Sequence, residues 1–243
     1  MNQDSLMPPQ VIDSLIRREQ LALVGRLLRG LVHNLSGALQ TVRLPLDLLE
    51  MQAARGGEQK LDQKLPAIKQ GVTRMSDELN NLANLSQQMY RLEPETLDLC
   101  ALVQDQLAFW PADMFFKHEL KIETELPQPG PKVLSAYADA ALAFNLLLAN
   151  GLESLQEAGQ NGLTVKVSKD EWQTVLQVID QGPGPSPEIA PTMFEPFAGH
   201  KDASHDGLGL FLAQAALKRW KGGVKWLNDP PGAFEIRLPL AAD

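Results

Sequence analysis

Apolar residues recur at spacings of three and four from Val11 to about Ala54: Ile12, Leu15, Ile16, Val24, Leu27, Leu28, Leu31, Leu35, Leu39, Val42, Leu46 and Leu49. That spacing predicts one long amphipathic helix. Arg55-Gly56-Gly57-Glu58 interrupts it. A second stripe follows through Leu61, Leu65, Ile68, Val72, Met75, Leu79, Leu82, Leu85, Met89 and Leu92. Two long helices joined by a short Gly-Gly turn predict an antiparallel hairpin. Two helices cannot enclose a core alone, so pairing with a second copy as a four-helix bundle, a homodimer, is expected. Pro45 is a candidate kink.

Glu93-Pro94-Glu95 ends the second stripe, and the pattern then changes. Short alternating runs predict strands at 96–99, 117–126, 163–168, 174–180, 224–227 and 234–238. Helical runs are expected at 100–109, 138–155 and 207–220. Mixed strands and helices over residues 94–243 predict one α+β domain, with residues 1–93 as the helical hairpin. Residues 181–206 hold three glycines and five prolines without clear periodicity. An apolar strand enters this segment and a glycine-started helix leaves it, which predicts a functional lid.

Composition narrows the function classes. The chain has 243 residues, 44% of them hydrophobic, and a net charge of -8. An acidic chain is a poor nonspecific ligand for nucleic acid or an anionic membrane. Cys100 is the single cysteine, so no intramolecular disulfide can form, which suits a reducing compartment. No apolar run approaches a membrane span, and Met1 to Gln10 lacks a signal-peptide layout. A cytoplasmic protein is expected.

Three local features suggest chemistry. Val178-Ile179-Asp180-Gln181-Gly182-Pro183-Gly184 ends a strand in a carboxylate followed by two glycines. A carboxylate only accepts hydrogen bonds, so Asp180 could read an amino group, although a plain turn has the same pattern. Gly207-Leu208-Gly209-Leu210 starts a helix, where free N–H groups and the dipole favour an anion; a tight hinge reads the same way. Asn150 interrupts the apolar run from Phe144 to Leu155. It is either a partly exposed side chain or an oxygen ligand for Mg²⁺.

Taken in this order, the features resemble the ATP-binding domain of bacterial sensor histidine kinases, a fold shared with DNA gyrase, MutL and heat-shock chaperones. Asn150-Gly151-Leu152-Glu153-Ser154 looks like the N box, and Asp180, Gly182 and Gly184 look like the first glycine box. Met193-Phe194-Glu195-Pro196-Phe197 resembles the F box of the lid, and Gly207 with Gly209 the second glycine box. The resemblance implies a two-layer α+β sandwich that binds ATP and Mg²⁺. It assigns Asn150 to the metal, Asp180 to adenine and Lys201 to the terminal phosphate. The family's usual first N-box Asn falls at Leu146, with Asn145 one residue out of register. ATPase relatives place a water-activating Glu there, which Leu146 cannot replace, so transfer to a side chain fits better than hydrolysis.

The first helix carries His33, with Arg29, Gly30, Ser36, Gly37 and Gln40 as its helical neighbours. An exposed histidine is ordinarily a plain surface residue. In a hairpin upstream of this ATP domain, His33 resembles the H box, whose histidine accepts a phosphoryl group. A neutral imidazole nitrogen can attack the γ-phosphorus in line. The family usually has an acidic residue next; Asn34 stands there and can orient the ring without taking a proton. Gly37 and Ala38 replace the residues usual four and five positions after the histidine, the first of which is linked to phosphatase activity in the family.

The expected function is a dimeric histidine kinase that uses Mg·ATP, phosphorylates His33 and passes the phosphoryl group to an aspartate of a response-regulator receiver domain. The signal is expected to come through a separate sensor protein, an N-terminal tail, or a region outside this chain. The alternative is a phosphotransfer or regulatory scaffold whose ATP domain binds nucleotide without efficient catalysis. A sigma-factor-restraining serine kinase shares the ATP fold but normally lacks the hairpin.

Overall fold

The structure, a computed structural model, describes residues 7–54, 61–198 and 206–241. Helix α1 spans Pro9–Ala54 and α2 spans Leu61–Gln88. Helix α1 continues through Pro45, which is buried. The two helices approach closely where Gly71 faces α1: a Cβ there would lie 3.0 Å from the Ala38 carbonyl oxygen. Val24 and Leu85 line a common cavity, so the helices run antiparallel. Helix α2 stops at Gln88, short of the expected end at Leu92. The segment after it is fastened instead of helical. Arg91 donates two hydrogen bonds to Glu95, at 2.9 and 2.7 Å, and its guanidinium lies 4.1 Å from the Tyr137 ring centroid.

Beyond the hairpin lie β1 (Pro94–Asp98), α3 (Leu99–Leu107), a 3-10 turn at Trp110–Ala112, α4 (Met114–His118), β2 (Lys121–Glu125), β3 (Lys132–Ala136) and α5 (Tyr137–Ala158). Then come β4 (Gly162–Lys169), β5 (Gln173–Asp180), α6 (Gly209–Lys218), β6 (Gly223–Leu227) and β7 (Ala233–Pro239). Five strands form one sheet in the order β2-β4-β5-β7-β6. The β2–β4 pair is parallel and the others are antiparallel. β1 and β3 form a separate two-stranded sheet with Leu97 opposite Val133. Helices α3, α5 and α6 and the five-stranded sheet make a two-layer sandwich, the expected fold class for this part of the chain.

Elements α4 and β3 also differ from the sequence expectation. The alternation across 117–126 predicted one strand, but Lys117 and His118 belong to α4. Asp113 caps that helix by accepting from the Phe116 N–H at 3.0 Å, and the cap outweighs the alternation. Strand β3 was not predicted. It is short, and its ladder exists only because β1 runs alongside it.

Most of α5 is buried between the sheet and its neighbouring helices, from Tyr137 to Ala149 without a break. Asn145 is therefore a polar group in the core, and it is fully engaged. Its Oδ1 accepts from Trp110 Nε1 at 2.8 Å, and its Nδ2 donates to Gln106 Oε1 at 2.7 Å. Gln106 donates in turn to Gln88 Oε1 on α2 and to the Tyr137 hydroxyl. This network joins the hairpin to α3 and α5. These partners account for a polar residue at the buried position 145.

Candidate nucleotide site and phosphoacceptor helix

The C-terminal end of β5 places Asp180 against α5. The side chain is 5% exposed. Gly182 N–H donates to Oδ1 at 2.8 Å, and Ser154 Oγ donates to the same oxygen at 3.0 Å. Both of these bonds go to Oδ1, so Oδ2 is left to accept from a ligand. Burial raises the Asp180 pKa above the ordinary carboxylate value, and the hydrogen bonds from Gly182 and Ser154 counter it in part. A ligand amino group would repay that desolvation, which is the chemistry expected of an adenine reader.

The backbone around Asp180 is closely packed. A Cβ on Gly151 would press on Leu163 Cδ1 at 3.3 Å and make ordinary contact with Asp180 Oδ2 at 3.6 Å. A Cβ on Gly182 would run into the Ser154 hydroxyl. Gly184 has φ 71° and packs on the Pro231 carbonyl, so a side chain there would be both strained and obstructed. The two glycines after Asp180 are thus required by space as well as by the turn. Ser154 had no assigned role in the sequence reading. Its position four residues after Asn150 places both on one face of α5, and that spacing was the available signal.

Asn150 is half-buried on the same helix, one turn before Ser154. Among the described residues, no group of three or more His, Cys, Asp or Glu side chains could hold a metal ion by itself. A single amide oxygen suits Mg²⁺ when phosphate and water supply the other ligands. The donor set therefore fits a metal that enters with a nucleotide. Leu146 lies one turn before Asn150, and its Cδ2 would be 3.8 Å from a Cβ on Gly209. Position 146 thus faces the start of α6 with an apolar side chain, and no carboxylate is available there to activate water.

Helix α6 begins at Gly209, two residues later than expected. Gly207 explains the shift, because its φ of 64° cannot continue a right-handed helix, and a Cβ there would strike the Ala198 carbonyl. Gly207 thereby joins the end of the 181–198 segment to α6. Met193 of that segment is buried and Phe194 packs against the core. Lys201 lies outside the described residues.

His33 is exposed on α1. It is not brought to the Asp180 cluster. Instead, α1 meets that side of the α+β part through Arg18 with Asp206 at 3.3 Å and Arg26 with Glu153 at 3.4 Å. Asn34, expected to orient the His33 ring, accepts from Lys117 Nζ of α4 at 2.9 Å. Sequence reasoning did not single out Lys117, which carries no motif.

Residues 138–242 match the family described as histidine kinase-, DNA gyrase B- and HSP90-like ATPase. The sensor histidine kinase CpxA of Escherichia coli strain K12 is 30% identical over 227 residues, covering 88% of this chain and 47% of CpxA. The sensor histidine kinase ZraS of Salmonella typhi is 24% identical over 239 residues, covering 96% of this chain and 49% of ZraS. The chain therefore spans about half the length of the curated relatives it matches. The structure of full-length ShkA in complex with AMPPNP superposes with a TM-score of 0.52 at 16% identity, over 98% of this chain and 47% of ShkA. Residues 138–242 are thus similar to histidine kinase-type ATPase domains, and the chain as a whole is similar to about half of these sensor histidine kinases. No helix among the described residues is long and apolar enough to cross a membrane.

Proposed function

We propose that this chain is an ATP-dependent protein-histidine kinase that phosphorylates His33 and hands the phosphoryl group to an aspartate of a response-regulator receiver domain. The buried Asp180, held by Gly182 and Ser154 with an oxygen left for a ligand, is the observation that carries the nucleotide part of this reading. Asp180 reads the adenine amino group. Gly182 and Gly184 let the backbone approach the base, while Gly207, Gly209 and the start of α6 face the phosphates. Asn150 would hold Mg²⁺, which supplies charge neutralisation on the phosphate oxygens when bound; Lys201 is proposed for the terminal phosphate. Leu146 leaves no base for water, which favours transfer to the His33 imidazole over hydrolysis.

The division of labour proposed is a hairpin of residues 1–93 and an ATP domain of residues 94–243. Dimerisation through the hairpin is part of the same reading. Val32, Leu39 and Leu46 on α1 repeat every seven residues and are exposed, as are Val72 and Leu79 on α2. A second copy would cover that stripe.

Incubation with γ-labelled ATP and Mg²⁺ should give acid-labile, base-stable label on wild type and none on His33→Gln. Label that survives in His33→Gln would refute the assignment. The scaffold reading has one observation in its favour, the Asn34 carbonyl already occupied by Lys117. It requires that His33 accept phosphate from a phosphorylated receiver while ATP yields no label.

A further inference from the structure

The contact between α4 and the turn carrying His33 was not foreseen by any motif. Lys117 Nζ donates to Asn34 Oδ1 at 2.9 Å, a bond between residues 83 apart in sequence. A second observation seats the same turn. Gly30 packs so tightly on the 3-10 turn that a Cβ would collide with the Ala112 carbonyl oxygen. At 3.6 residues per turn, Gly30 points about 60° from His33 and about 40° from Asn34, on opposite sides. The ATP domain therefore presses between these two side chains, with Lys117 on the Asn34 side and His33 flanking the other.

The segment that presents Lys117 is firmly held. Trp110 is fully buried, its Nε1 is tied to Asn145 of α5, and its ring lies 6.0 Å from that of Phe116. Asp113 caps α4, and its carbonyl accepts from the Lys117 N–H at 3.0 Å. The ammonium thus sits on an anchored element at the end of a flexible stem. On the other side of the turn the space is open: nothing lies within 4 Å of a Cβ built on Gly37, one turn beyond His33.

We propose that Lys117 is the cation that meets the phosphoryl group on His33, with the Asn34 carbonyl holding it until transfer. The proposal rests on the reading of His33 as phosphoacceptor. In the transfer, a bond forms between an imidazole nitrogen and the γ-phosphorus. The bond from that phosphorus to the β–γ bridging oxygen breaks, and ADP leaves with the electron pair. The other ring nitrogen keeps its proton. The product places a phosphoryl dianion beside Asn34, where an ammonium is a better partner for it than for a neutral amide oxygen. Lys117 then leaves Asn34, whose carbonyl becomes free to accept from the phosphoimidazole N–H. Arg29, one turn before His33, is a cation of the same helix and travels with it; Lys117 supplies charge only when the ATP domain is seated on α1.

The test has two arms on the full chain. With γ-labelled ATP, Lys117→Gln should lower the labelling rate of His33 at saturating ATP by about five- to tenfold, the effect of losing one partly screened charge-assisted contact, with the ATP KM unchanged. Lys117→Arg should restore most of the rate. In the second arm, His33 is phosphorylated chemically with phosphoramidate, so no kinase activity is needed, and His33→Gln assigns its phosphorus resonance. That resonance should titrate at higher pH in Lys117→Gln than in wild type. Equal rates and equal titrations in wild type and Lys117→Gln would overturn this proposal alone. A titration moved by Arg29→Gln and not by Lys117→Gln would assign the charge to Arg29 and overturn it too. Absence of label from ATP on wild-type His33, with a phosphorus titration that still depends on Lys117, would overturn the kinase reading and leave the cation assignment standing.

Discussion

At the scale of single residues, Asp180 shows how a binding group can cost stability. Its pKa is raised by burial, so the folded protein binds this proton more readily than the unfolded chain does. The stability linked to it is fully present below the ordinary carboxylate range and is lost as pH rises through the raised value. Asp180→Asn keeps an oxygen for Gly182 and Ser154 while removing the buried charge. The melting temperature of Asp180→Asn relative to wild type should therefore be higher at pH 7 than at pH 4, measured calorimetrically without nucleotide. The same variant should lose about a hundredfold in ATP affinity, because an amide NH₂ would face the adenine amino group. A melting difference independent of pH would contradict this account. Cys100 is a different case. It is fully buried, and burial pushes its thiol up to about 11. It should resist a thiol-specific reagent at pH 8 in the native protein and react stoichiometrically in denaturant.

At the scale of elements, the amide network decides how α3, α5 and the hairpin meet. Asn145→Ala removes the partners of Trp110 Nε1 and Gln106 Oε1 inside the core. The cost should be about 2–4 kcal/mol in urea unfolding, from unpaired buried groups plus a small cavity. A change below about 0.5 kcal/mol would mean the network is rearranged without penalty. The elements themselves were largely legible. The three-and-four spacing located α1, α5 and the start of α2, and alternation located β4, β5 and β7. At α4 and β3 a cap or a partner strand outweighed the local pattern, and the end of α2 and the start of α6 each fell a few residues from expectation. The register problem in the N box has the same origin. An Asn in an apolar run signals that something polar must be nearby, but only the fold identifies that group as Trp110, 35 residues away.

At the scale of the whole molecule, the hairpin and the two-layer sandwich are joined by an apolar cluster and by exposed ion pairs. Ile16, Leu27, Leu31 and Leu85 belong to the same buried cluster as the core of the sandwich. Around it, Arg219 pairs with Asp13 at 2.9 Å, Arg18 with Asp206 and Arg26 with Glu153. The opposite surface of the hairpin keeps its apolar stripe exposed. Leu39→Glu combined with Leu79→Glu should convert a dimer to a monomer in sedimentation at micromolar concentration while ATP binding persists. A dimer that withstands both substitutions would place the interface elsewhere. The net charge of -8 is compatible with the proposed nucleotide site, which would depend on local donors and not on a positive surface.

The helical hairpin and most of the strands were legible in the sequence alone, because periodicity is a local property of the chain; Asp180, Gly182, Gly184, Gly207 and Asn150 stood out there only as candidates, whose proposed roles come from the resemblance to a known family. Tertiary structure alone decided which polar groups meet. It gave Asp180 the Ser154 hydroxyl, turned Asn145 toward Trp110, and set Lys117 on Asn34 across 83 residues. The physical reason is that hydrogen-bond partners are chosen by the path of the backbone between elements. Desolvation, which makes those partners matter, appears only once the layers have closed.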